Sequence, residues 1–190
     1  MAMITIRNER STDIAARERL LDAALGPARF AKPSERVREG RFAADGLSFV
    51  AVENGRIVGT VRLWNVNAGL GRPALLLGPL AVATEARNRG IGGMLVQRAL
   101  REARSRKHGA VLLVGDAAYY GRCGFSAEKT GALRLPGPYE QDRLLGLELK
   151  RCALEEARGL IRASGDRIPK GLPDFLTGAI RAPAPLALAA

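Results

Sequence analysis

Metal sites and histidine-dependent nucleophiles have almost nothing to be built from in this chain. His108 is its only histidine and Cys123 and Cys152 are its only cysteines. Neither cysteine stands at a metal-ligand spacing, so zinc coordination and Ser/His or Cys/His catalysis lack their usual parts, and no metal is expected. Aromatic residues make up only 5% of the chain. With no stacking-aromatic motif and no helix-turn-helix signature, the sequence argues against nucleic acid as a partner. No apolar run approaches the ~20 residues needed to cross a bilayer, and the opening MAMITIRNER turns polar too soon for a secretory signal. A cytoplasmic location without a membrane partner is the expectation.

What the chain has in excess is arginine. Its formal net charge is +11, and lysine occurs only at positions 32, 107, 129, 150 and 170. A nucleic-acid surface, a cofactor bearing several phosphates, and arginine-rich composition as such could each account for the excess. Part of it is placed suggestively: from Val82 to Lys107, seven basic residues (Arg87, Arg89, Arg98, Arg101, Arg104, Arg106 and Lys107) stand against Glu85 and Glu102 alone. At 190 residues and 47% hydrophobic, the chain can bury most of one core and is short for two.

Met3 to Arg7 alternates as a half-buried strand does, and Ser11-Thr12-Asp13 offers N-cap oxygens for a helix running to Leu25, where Gly26-Pro27 stops it. A short helix around 34–41 precedes a strand over 47–53. Asn54-Gly55 then predicts a tight hairpin, because both residues tolerate positive φ, with 56–65 returning antiparallel. The run 74–82 is apolar throughout, as in a strand covered on both faces, and Pro79 within it lacks the N–H a full ladder needs, which predicts a bulge or a splay. Ile91, Met94, Leu95, Ala99 and Ala103 recur at helical spacing up to His108-Gly109. A strand over 110–114, a turn or helix over 117–122, a strand near Phe125 and a strand over 144–150 follow. From 166 to 190 the chain becomes rich in proline and alanine, and a tail is expected there after a domain spanning 1–165.

The chemistry concentrates where the apolar strand ending at Val82 meets a helix whose first turn holds Gly90, Gly92 and Gly93. Helix-start N–H groups without side chains to crowd them form an anion site. Three glycines cost a helix start roughly 1 kcal/mol apiece, which packing alone does not justify. A Walker loop is absent, and a dinucleotide fingerprint fails because Leu95 occupies its third glycine place.

Val82, Arg87, Gly90 and Gly92 match the Val-x-x-x-x-Arg/Gln-x-x-Gly-x-Gly/Ala motif of the GNAT superfamily of N-acetyltransferases, which the chain resembles from about Ile4 to Lys150. A second block, Gly115-Asp116 through Ala118-Tyr119-Tyr120-Gly121-Arg122-Cys123-Gly124-Phe125, resembles the family's aromatic-Tyr-x-x-x-Gly-Phe and is most similar to the YhbS-like branch. Two departures stand out: Thr84 where the family often has proline, and Gly115-Asp116 where many members have asparagine.

The resemblance implies an α+β, three-layer fold with a mixed, mostly antiparallel sheet flanked by helices and splayed at its central strand. It implies that Arg87, Asn88, Arg89, Gly90, Ile91, Gly92 and Gly93 hold the pyrophosphate of acetyl-CoA, and that the backbone of Leu80, Ala81 and Val82 pairs with pantetheine. Tyr120 becomes the general acid to the departing thiolate, a role that a hydroxyl of ordinary pKa about 10 can fill. Several relatives carry a glutamate base on the central strand, but 74–83 contains no carboxylate. A water relay is expected instead, ordered by Asp116 or, second, by Glu85, with the Leu80 amide as oxyanion donor. The acceptor, a small-molecule amine or the amine of a peptide or protein, would meet Phe30, Trp64 and Tyr139. A non-catalytic acyl-CoA sensor is the alternative, although it has no use for a positioned Tyr120 hydroxyl. A homodimer is compatible with the late strands.

Overall fold

The computed structural model describes residues 3–172. In chain order its elements are β1 (Ile4–Asn8), α1 (Ile14–Leu25), α2 (Pro33–Arg38), β2 (Ser48–Glu53), β3 (Arg56–Asn67), β4 (Pro73–Val82), α3 (Ile91–Ser105), β5 (Ala110–Val114), α4 (Ala117–Gly121), β6 (Leu133–Arg134), β7 (Leu144–Glu148), β8 (Gly159–Leu160) and β9 (Arg162–Ala163). The main sheet runs β1-β2-β3-β4-β5-β7, with β9 added to β3. Every pair in it is antiparallel except β4–β5. This is the expected α+β architecture with a mostly antiparallel sheet.

Strand alternation sorts side chains between two layers. Phe49 and Ala51 of β2, Val61 and Leu63 of β3, Leu75 of β4 and Val111 of β5 cluster with Ile91, Leu95 and Ala99 of α3. Their neighbours one position along, Trp64, Val66, Leu76 and Leu112, cluster instead with Val37 of α2. Burying each leucine or isoleucine of α3 is worth about 1.5–3 kcal/mol. Gly59 lets the helix lie close, since a Cβ there would stand 2.9 Å from Leu95 Cδ1. At the β2–β3 turn, Asn54 and Gly55 adopt φ of 48° and 75°, as the paired left-handed residues of a tight hairpin do.

The central strand behaves as Pro79 requires. The Gly78-Pro79 peptide is cis, the β3–β4 register shifts between Val61 and Leu63, and β4 pairs with β5 only at Leu75 and Leu76 before the two strands part. The Trp64 indole N–H donates to Gly78 O at 2.6 Å, closing off the carbonyl that the irregular ladder leaves.

Three expectations need correction. Asp13 does not cap α1 with its side chain; its carboxylate turns back to accept from Arg10 N at 2.7 Å and from the Arg7 guanidinium, a charged donor that outcompetes a neutral amide. No strand forms at Phe125: Gly124 sits at φ 87°, outside extended geometry, and only a single bridge, Ser126 to Gly146, joins the sheet. The second helix stops at Arg38 rather than 41, because Gly40 turns left-handed at φ 65°.

Beyond the expected boundary at 165, Asp166 O still accepts from Phe42 N and Ile168 N donates to Gly40 O, both at 3.0 Å. Most of the expected tail, from residue 173 on, lies outside the described residues.

Candidate active site

The site is built where β4 ends. Ala83 N is held by Val58 O of β3 at 2.9 Å, and a single 3-10 turn over Thr84–Ala86 then redirects the chain. Asn88 takes φ 60° and Gly90, the residue before α3, takes φ 77°. Between them Arg89 reaches across to the β2–β3 hairpin, its two terminal nitrogens on the two oxygens of Glu53 at 3.0 and 2.5 Å. The pairing lowers the Glu53 pKa and raises that of Arg89. Arg89 thereby spends its side chain on the loop's own shape and leaves its backbone to face outward.

The result is a row of donors. The N–H groups of Asn88 through Gly93 have no hydrogen-bond partner among the described residues. Nothing lies within 4 Å of where a Cβ would stand on Gly90 or Gly93. Unpaired amides at the positive end of a 15-residue helix, with open space before them, are what an anion needs and what a side chain would block. Of the loop side chains, Ile91 is buried in the core and Arg87 Nε makes only a 3.4 Å contact with Val82 O.

Across the β4–β5 gap stands α4. Asp116 begins it, its Oδ1 accepting from Tyr119 N at 2.7 Å, and the residue is exposed. Its carboxylate is therefore occupied as an N-cap. Tyr120 packs its ring where a Cβ on Gly115 would be, 2.3 Å from Cε2, and meets Phe125 edge-on at 6.0 Å. Burial, then the neighbouring Tyr119 and Cys123, pushes its phenol well above the ordinary value of 10.0. At neutral pH this leaves a protonated hydroxyl, and no group among the described residues hydrogen-bonds it.

Tyr119 reaches a second element. Its hydroxyl oxygen lies 2.4 Å from where a Cβ on Gly92 would stand, so the first turn of α3 and α4 touch through this glycine and no larger residue. Two consecutive residues of a helix point about 100° apart, a signal that the Tyr-Tyr pair could reach two elements.

The acceptor-side aromatics are less united. Trp64 is at the splay and Tyr139 packs against the same cluster, with its hydroxyl on Gln141 Oε1 at 2.7 Å. Phe30 lies under the Arg29 guanidinium at 4.1 Å and is not part of that cluster. Glu85 lines a cleft of about 570 Å³ between α1 and the β2–β3 hairpin, together with Arg19 and Arg56. Arg38 was not among the expected site residues. It lies beside Gly78 at the splay, reached through α2, and nothing in the local sequence around 38 signals that placement.

Residues 16–125 match the family described as acetyltransferase (GNAT) family. No curated protein matches the chain. Among solved structures, the chain is similar to the GNAT family N-acetyltransferase YhbS from Escherichia coli in complex with CoA, at 27% identity and TM-score 0.70, over 85% of this chain and 89% of that one. Likeness of fold extends to a GNAT family acetyltransferase from Brucella melitensis in complex with acetyl-CoA, at 24% identity, TM-score 0.58, and 88% and 92% of the two chains. It also extends to the ribosomal-protein-S18-alanine N-acetyltransferase from Escherichia coli, at 21% identity, TM-score 0.54, and 78% and 95% coverage.

Proposed function

Because the chain belongs to the acetyltransferase (GNAT) family and is an acyl-CoA-dependent N-acyltransferase, we propose that it moves an acetyl group directly to a primary amine, with Tyr120 as general acid. The cosubstrate is acetyl-CoA, as in the CoA-bound and acetyl-CoA-bound structures it resembles. The observation that carries the reading is the row of unpaired N–H groups from Asn88 to Gly93 at the mouth of a strand gap. One doubly charged pyrophosphate satisfies such donors better than any protein group nearby.

Acetyl-CoA supplies the activated acyl group, and the chain supplies orientation and protons. Amides 88–93 hold the pyrophosphate, and Leu80, Ala81 and Val82 offer the pantetheine a strand edge where β4 leaves β5. The Leu80 N–H, on the part of β4 that has left β5, serves the developing oxyanion. Tyr120 keeps its proton at neutral pH and gives it to the sulfur as negative charge develops there. A water relay takes the ammonium proton, since β4 carries no carboxylate and Asp116 is engaged as a cap. The catalytic unit is residues 1–165, with 166–190 as an appended segment, in a cytoplasmic enzyme that can pair as a homodimer.

Replacing Tyr120 with phenylalanine removes the hydroxyl and little else. Thiol release from acetyl-CoA over a panel of small amines and peptides should fall roughly 100-fold in kcat, while calorimetric affinity for acetyl-CoA stays within about twofold. Undiminished turnover would remove Tyr120 from the mechanism. Tight acetyl-CoA binding without turnover on any acceptor would favour a sensor instead.

A further inference from the structure

Arg38 is a buried charge to which the reading above gives no task. It occupies the last turn of α2 and is 6% exposed. Its Nε and Nη2 both donate to one oxygen, Glu35 Oε2, at 2.8 and 2.6 Å. Nη1 lies 3.4 Å from where a Cβ on Gly78 would stand and has no hydrogen-bond partner among the described residues. It is not among the sealed polar atoms without partners, so it opens onto the space beside the β4 splay.

Two other buried arginines are placed differently. Arg17 is shared between Glu9 and Glu18, and Arg29 between Glu18 and Asp22. Each guanidinium there spans two carboxylates, as five donors in a low-dielectric interior demand. Arg38 has one. Gly78 O already accepts from the Trp64 indole, and β4 has no acid to offer. Gly78 itself has no side chain to fill the space. No second acceptor for this guanidinium lies among the described residues, so one is left for a ligand to supply.

We infer that Arg38 binds a carboxylate on the acceptor, so that the enzyme acetylates a small amino acid or a close analogue rather than a simple amine. This rests on the proposed reading of the site. Gly78 lies two residues before Leu80 on β4. That places a carboxylate on Arg38 two residues along the strand from the Leu80 N–H. Glu35 stays on the far side of the guanidinium. Its negative charge leaves room for one monoanion and disfavours a dianionic phosphate.

The test compares the twenty amino acids with their carboxamides as acceptors, in wild type, Arg38→Met and Arg38→Lys. Wild type should prefer at least one acid over its amide by about 20-fold or more in kcat/KM, the range of a charge-assisted hydrogen bond. Arg38→Met should erase that preference through KM while acetyl-CoA affinity and melting temperature hold, and Arg38→Lys should restore part of it. Equal use of acid and amide by wild type, or turnover confined to amines without a carboxylate, would overturn the inference and leave the acetyltransferase reading intact. Should nothing be turned over, the CoA-bound protein is titrated with the corresponding N-acetyl amino acids. Binding that Arg38→Met abolishes supports the inference, and no binding by any of them sinks it, in both cases independently of Tyr120.

Discussion

Tyr120 holds its proton beyond the range where a free tyrosine would release it, and this has a consequence for stability as well as for catalysis. Its folded pKa is raised from 10.0, chiefly by burial. A raised folded pKa means stability that is complete below pH 10 and is lost as pH climbs past it, because the unfolded chain gives up a proton that the native state must keep. Melting temperature should therefore fall more steeply above pH 10 in wild type than in Tyr120→Phe, and parallel curves would contradict the burial argument. Gly93 gives a second separation of effects at this scale. Its Cβ direction is open and it sits inside α3, so Gly93→Ala should stabilise the fold by up to about 1 kcal/mol in urea titration. The same methyl stands before the unpaired amides, so acetyl-CoA affinity should drop at least tenfold.

At the scale of elements, what could be read from sequence was whatever a run of residues carries by itself. Alternation marked β1, helical spacing marked α3, an unbroken apolar run marked β4, and Asn54-Gly55 marked the hairpin of β2 and β3, because these signals are local. The two-residue strands β6, β8 and β9 have no period to show, and they exist because the body of the fold offers them partners. Phe125 was misread for a related reason: one apolar residue suggested a strand, but the positive φ of Gly124 governs the backbone there. Packing between elements makes a testable point. Gly59→Ala would push a methyl to 2.9 Å from Leu95 and 3.2 Å from Ile91, with a cost of about 1–3 kcal/mol from displacing α3. Because α3 also carries the amides, this variant should lose acetyl-CoA affinity along with stability, and loss of stability alone would show the loop to be independent of its helix.

For the molecule as a whole, charge is organised by depth. Arg17, fully buried, and Arg62 converge on Glu9, and Glu18 links Arg17 to Arg29. This network ties β1, α1, the segment after it and β3 into one block beneath the sheet. Glu9→Ala would leave two buried guanidinium groups short of a partner and should destabilise by about 3–5 kcal/mol in thermal or urea unfolding. An effect under 1 kcal/mol would mean that water reaches them. Part of the arginine excess thus belongs to the interior, which composition alone could not reveal. The same division explains what was legible of the site. Its proposed cofactor half is one continuous stretch, 80–93, and its motif could be seen in the sequence. The proposed acceptor half joins Arg38, Trp64 and Gly78 from three elements, and only the folded chain brings them together.

Trp64 is the only tryptophan in the chain, and its indole N–H rests on the carbonyl at which the central strand splits. The chain's one strong fluorophore thus stands at the junction of the two proposed substrate sites. Light emitted by the unlabelled protein should therefore shift in colour or intensity as acetyl-CoA is titrated and again as an acceptor is added. Each half of the site can then be followed separately in real time, without modifying a residue.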